Sequence, residues 1–258
     1  MSDDWFPEGS DPDPRRAAQK GLRPELPRRF YTEAGVVERD GLFALALDGR
    51  VARTPGKRLL AVPSRALAEA LAGEWAAQGE RIDPSTMPMT RIVNSALDGV
   101  AEAMPAVAAE IARYAGSDLL CYRAAEPERL VLRQAEAWTP LLDWAATRYG
   151  ARLVLAEGIV FAEQPAEALA AIEAALTRFG PIGLAALHVL TTLTGSAVLA
   201  LAVAERRLEP EAAWAAAHVD EDFQTELWGA DEEAQARRAA RWREMEAAAR
   251  VLALGGRD

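Results

Sequence analysis

FYTEAGVVERDGLFALALDGRVARTPGKRLLAVP, residues Phe30 to Pro63, sets short apolar runs between three turn signals, Asp40-Gly41, Asp48-Gly49 and Pro55-Gly56. Asp-Gly supplies the positive φ angles of a two-residue hairpin turn, and Pro-Gly suits a type II turn. The stretch therefore predicts a small antiparallel meander of about four strands. An apolar sheet face needs a cover, and the next residues offer one. SRALAEALAGEWAAQGE, Ser64 to Glu80, has Ser64 as a cap candidate, alanine-rich helical spacing and Gly79 as a stop.

On either side of this unit the pattern changes. Residues 1–27 hold five of the 15 prolines and few large apolar side chains, which reads as a flexible arm. From about residue 90 the spacing is helical, with helices expected near 90–115, 127–149, 165–179, 181–206, 209–228 and 231–253. Two β-like runs, Asp118 to Arg123 and Leu153 to Leu155, interrupt them. The expected class is α+β, with an arm (1–27), a small α/β domain (28–90) and a helical domain (91–258).

Composition narrows the function. The 258 residues are half apolar, enough for a substantial core, and 29 Lys and Arg against 39 Asp and Glu leave a net charge of −10. That balance argues against general nucleic-acid binding, which relies on excess cations. One cysteine, Cys121, forms no internal disulfide and fits a reducing compartment. The N-terminus is acidic and proline-rich, unlike a secretory signal or an Arg-rich transit peptide, so a bacterial cytoplasmic protein is expected. Gly180 to Ala204 is free of charge, but His188, Thr191, Thr192, Thr194, Gly195 and Ser196 crowd its middle, as expected of a buried bundle helix rather than a membrane span.

Catalytic constellations are scarce. Six residues separate Gly49 from Gly56 and Arg58 stands where a phosphate loop needs Ser or Thr. Ser196 lacks the strand-turn-helix setting of a nucleophile and reads as a small packing residue. His188 reads as a core histidine and Cys121 as a small buried hydrophobe. No metal ligand set and no cofactor motif is evident.

The best candidate is AHVDEDFQTELWG, Ala217 to Gly229. Placed on one continuous helix, Val219, Phe223 and Leu227 form a core stripe, while Trp214, Ala217, Glu221, Gln224 and Trp228 form a second. His218 has no second histidine four residues on, so zinc is not indicated, and calcium requires a loop of oxygen ligands. The second stripe either packs internally, with Glu221 paired to an arginine, or binds a protein through tryptophan and a fixed carboxylate.

These residues also carry a family resemblance. VDEDFQTELWG, preceded by LTGSAVLALAVAERRLEPEAAW, resembles the C-terminal signature of the assembly chaperones that bind the α subunit of the ATP synthase's soluble catalytic head. RRFYTEAGV, LDGRVARTPGKRLL, EWAAQGERIDPSTMPMTRIVNSALD and SDLLCYRA extend the match in order over about residues 28 to 245. The resemblance implies a non-enzymatic protein that holds the α subunit until the β subunit replaces it; a monomer without membrane insertion is expected, and eukaryotic relatives work in the mitochondrial matrix. It points to Asp220, Glu221, Asp222, Gln224 and Trp228 as client-binding residues, and to Trp75 as structural or client-binding. The alternative is a small-molecule enzyme using Glu221 as acid or base in an inter-domain cleft.

Overall fold

The computed structural model describes residues 26–158 and 161–255. Most of the expected arm, residues 1–25, therefore lies outside the described residues. Its last two residues are bonded, since the Leu26 carbonyl accepts from Arg81 Nη1 (2.6 Å) and the Pro27 carbonyl from Ile82 N (2.9 Å).

A four-stranded antiparallel sheet comes first: β1 (Ala34–Arg39), β2 (Leu42–Leu47), β3 (Arg50–Val51) and β4 (Ala61–Val62). Both Asp-Gly turns form as expected, with φ of 52° and 79° at Asp40 and Gly41 and of 47° and 75° at Asp48 and Gly49. Two details differ. At the Pro55-Gly56 turn the positive φ falls on Lys57 (68°), whose N–H donates to the Thr54 carbonyl, so the type II expectation fails there. The fourth strand returns to β2, Phe43 opposite Val62, instead of continuing past β3.

Helix α1 (Arg65–Ala76) packs on β1 and β2, and Ser64 Oγ caps it by accepting from Leu67 N at 3.3 Å. It also secures its successor. Glu74 accepts from the N–H groups of Met89 (2.8 Å) and Thr90 (2.7 Å), closing the N-terminus of α2 (Pro88–Asp98), and burial raises its pKa despite those bonds. The remaining helices are α3 (Met104–Ala115), α4 (Glu128–Tyr149), α5 (Ala166–Leu176), α6 (Pro181–Thr194), α7 (Ala197–Ala204), α8 (Pro210–Ala217), α9 (Val219–Trp228) and α10 (Glu232–Gly255). One continuous cluster of buried residues runs from Leu45 in the sheet through Leu67 and Ile111 to Leu187 and Met245.

Three expected long helices are each divided in two, for separable reasons. The first stops at Gly99 and restarts at Met104, where Pro105 lacks the N–H that an unbroken helix would use. The second turns at Gly195, whose φ of 69° is left-handed, and restarts from Ser196, whose hydroxyl accepts from Leu199 N at 3.0 Å. The third breaks at His218. There the imidazole Nδ1 donates to the Trp214 carbonyl at 2.7 Å, while the backbone N–H of His218 turns to Ala215 O at 3.1 Å. The side chain thus takes the acceptor that the next helical turn would have used.

The β-like runs are corrected too. Leu119–Cys121 is a 3₁₀ turn, and the strands are β5 (Tyr122–Arg123) and β6 (Ala156–Glu157), paired in parallel. No described helix is long and apolar enough to cross a membrane. The charge-free segment instead forms α6 and α7 in the core, where every residue from Ala197 to Val203 is buried.

Candidate functional site

The break at His218 dismantles the expected second stripe. Trp214, on α8, is buried and packs against the His218 ring (4.0 Å between centroids) and Trp242 of α10 (5.6 Å). Burial lowers the pKa of His218, so the ring stays neutral near pH 7. Trp228, on α9, is 85% exposed. The expected core stripe also shortens: Phe223 is buried, Val219 is half-buried and Leu227 is 55% exposed.

How is so exposed a helix kept in place? Three of its acids are bonded to neighbouring helices. Asp220 Oδ1 accepts from Gln134 Nε2 at 2.7 Å, and Gln134 Oε1 in turn accepts from Ala124 N at 2.8 Å. Asp222 pairs with Arg238 of α10 through both carboxylate oxygens. Glu226 takes a bidentate pair from Arg133 (2.7 and 2.8 Å) and a third bond from Arg129 (3.0 Å), and the Arg133 bonds hold its pKa below the ordinary glutamate value. The two guanidinium groups also lie 5.9 and 5.7 Å from the Phe223 ring centroid.

Against that pinning, the side chains of Glu221 and Gln224 are exposed and make no hydrogen bond or ion pair among the described residues, although the Glu221 charge acts on His218 and Arg238 nearby. The expected acid cluster therefore separates into two roles. Asp220 and Asp222 are tied to neighbouring helices, whereas Glu221, Gln224 and Trp228 face outward together with Leu227. Below α9, the fully buried Trp138 donates its Nε1–H to the Ala216 carbonyl at 2.7 Å and fastens α8 to α4. Arg129, Arg133, Gln134, Glu226 and Arg238 were not singled out from the sequence. The arginines four apart on α4 were an available signal, because that spacing puts both on one helix face.

Trp75 belongs to α1. Its ring packs against Tyr31 at 5.6 Å between centroids, and the Tyr31 hydroxyl donates to the Trp75 carbonyl at 2.7 Å. It thus joins the segment before β1 to α1. Its Nε1 is buried without an acceptor among the described residues.

The residues weighed as chemical groups occupy structural places. Ser196 caps α7, and Cys121 is fully buried, its thiol pushed up to about 12 by desolvation. His188 is not a core histidine; it is half-exposed beside Glu110, with Nε2 3.5 Å from Oε1. Asp118, fully buried, accepts from Leu120 N (3.1 Å) and Val198 N (3.2 Å) and from the Ser196 hydroxyl, and burial pushes it up to about 6. Among the described residues, no three His, Cys, Asp or Glu side chains gather where they could hold a metal ion.

Comparison with known proteins agrees with this architecture. The sequence profile of the ATP12 chaperone protein family matches residues 28–146. A crystal structure of Atp12 from Paracoccus denitrificans is 45% identical, covers 89% of this chain and 99% of its own, and superposes with a TM-score of 0.83. A crystal structure of an Agrobacterium tumefaciens protein described as a chaperone is 51% identical, covers 95% of this chain and 92% of its own, and has a TM-score of 0.86. The mitochondrial protein atp12 of Schizosaccharomyces pombe is 26% identical over 224 residues, 80% of this chain and 75% of the yeast protein. This chain belongs to the ATP12 chaperone family, the assembly chaperones of the ATP synthase whose motifs its sequence resembles.

Proposed function

We propose that this chain holds the unassembled α subunit of the ATP synthase until the β subunit replaces it, and that α9 presents the contact surface. The observation that carries the reading is the division of labour among the α9 carboxylates. Asp220, Asp222 and Glu226 anchor the helix to α4 and α10, leaving Glu221 unpaired beside Gln224 and the exposed Leu227 and Trp228. A tryptophan beside a carboxylate that forms no ion pair, on a fixed helix, suits a protein contact. An unassembled subunit exposes apolar interface that aggregates unless covered. Trp75 acts structurally in this reading, through Tyr31.

The protein works as a monomer, without cofactor, in the bacterial cytoplasm, and is not an enzyme. The enzyme alternative requires a second acid–base group free to act beside Glu221; the titratable neighbour there, His218, is buried with its Nδ1 committed to the Trp214 carbonyl. Co-expression with the α subunit tests the reading. Wild-type chain is expected to yield a soluble complex that added β subunit dissolves, and Glu221→Lys or Trp228→Ala to yield much less complex from equally folded protein. Failure of folded wild-type chain to retain any α subunit would sink it.

A further inference from the structure

A second surface stands on another side of α4. Thr139, Leu142 and Asp143 of that helix, with Arg123 of β5 and Arg152 and Leu155 of the following loop, line an open groove of about 760 Å³. Exposed large apolar residues recur along the chain that supplies its lining. Leu155 (52%), Val154 (45%) and Phe161 (67%) are exposed within eight residues of chain, out of nine exposed large apolar residues among those described. Leu132, 62% exposed, lies seven residues before Thr139 and so continues the groove-lining face of α4 towards its N-terminus. Leu155 itself lines the groove together with Leu142 and Leu153, so the groove offers apolar contact beside its charges.

The charge of the groove says what it fits. Two arginines and one aspartate line it, a positive balance within a chain of net charge −10. Arg123 is held rigidly. Its Nε donates to the Leu120 carbonyl at 2.9 Å, its guanidinium lies 5.3 Å from the Trp138 ring centroid, and Nη1 is 3.5 Å from Thr139 Oγ1. Its Nη2 is shut off from water with no acceptor among the described residues. Arg152 is exposed with no side-chain hydrogen bond among the described residues, so it is Arg152, beside Arg123 in the groove lining, that can meet a carboxylate with charge assistance.

We propose that this groove is a second client contact, taking a segment of the α subunit in which a carboxylate stands beside apolar side chains. The proposal rests on the chaperone reading above. Its sign is opposite to that of α9, whose outer face offers the unpaired Glu221. Two contacts of opposite charge on two sides of α4 would admit the client in one orientation only.

Photo-crosslinking in the full chain, co-expressed with the α subunit, separates the two claims. With p-benzoylphenylalanine replacing Leu155 in one variant and Gln224 in another, both are expected to crosslink to the α subunit. A crosslink from position 224 with none from 155 overturns the second contact and leaves the chaperone reading intact. An absence of complex in every variant and in wild type overturns both. Arg152 is exposed and carries no hydrogen bond that the fold needs, so Arg152→Glu tests the charge without unfolding the chain. It is expected to weaken α-subunit binding at least fivefold while Arg152→Lys retains it, and equal binding by Arg152→Glu and wild type would refute carboxylate recognition.

Discussion

Helices α7 and α9 both start just after a break in a longer helical pattern, yet they are fixed by opposite means. In α7 every residue from Ala197 to Val203 is buried, and Ser196 and Asp118 anchor its N-terminus by hydrogen bonds. In α9 only Phe223 is buried, and three carboxylates tied to Gln134, Arg238 and the Arg129–Arg133 pair set its position. Burial on all sides leaves a helix no free surface. Fixing by charge from one side leaves the other side available, which is how a small fold can present a rigid helix to a partner without exposing its core.

The contrast can be broken from either end. The largest effect belongs to α7: Leu199→Ala is expected to lower stability by about 2–5 kcal/mol, since the site is closed on all sides and cannot collapse. Chemical denaturation checks this, and a loss typical of a surface substitution would mean that α7 is not the packed centre.

Asp118 comes next. Its pKa rises from 3.8 in the unfolded chain to about 6 in the fold, so the native state binds the proton more tightly. The stability gained from that proton is complete below about pH 4 and is lost as pH rises through 6, a swing of up to about 3 kcal/mol. Asp118→Asn is expected to flatten this part of the stability profile between pH 4 and 6. A difference between wild type and Asp118→Asn that grows in favour of wild type as pH rises across the same window would contradict the buried, proton-favouring environment.

Arg133→Ala should act locally. Its pair with Glu226 is solvent-exposed, so the unfolding midpoint is expected to move little, as for most surface ion pairs. Amide exchange across residues 219–228 should nonetheless accelerate, because the bidentate pair is one of three ties on α9. Unchanged exchange there would shift the credit to Phe223 packing. The smallest stability effect is expected for Trp228→Ala, within about 0.5 kcal/mol, because the side chain is 85% exposed.

The sheet was legible where local chemistry decides the backbone. Asp40-Gly41 and Asp48-Gly49 specify hairpin turns on their own, and Ser64 marks the start of α1. The helices were legible as apolar spacing, but their breaks were less so. Gly195-Ser196 carries a recognisable stop and cap, whereas the break at His218 depends on an imidazole taking the Trp214 carbonyl, a choice that tertiary packing around Trp242 settles. That single break moved Trp214 into the core and left Trp228 outside, which counting angles along one helix could not do. Within the candidate site, the sequence located the acid cluster but not its division of roles, because Gln134, Arg133 and Arg238 come from segments up to 93 residues away along the chain.

The central claim is that the outer face of α9 is built for a partner and not for the fold. Titration of purified α subunit against wild-type chain, Glu221→Lys and Trp228→Ala, with unfolding midpoints measured on the same samples, tests it most directly. Unchanged midpoints with affinity reduced more than about tenfold in both variants are predicted, as for hot-spot residues of an interface. Wild-type affinity in both variants, or affinity lost only in step with stability, would contradict it.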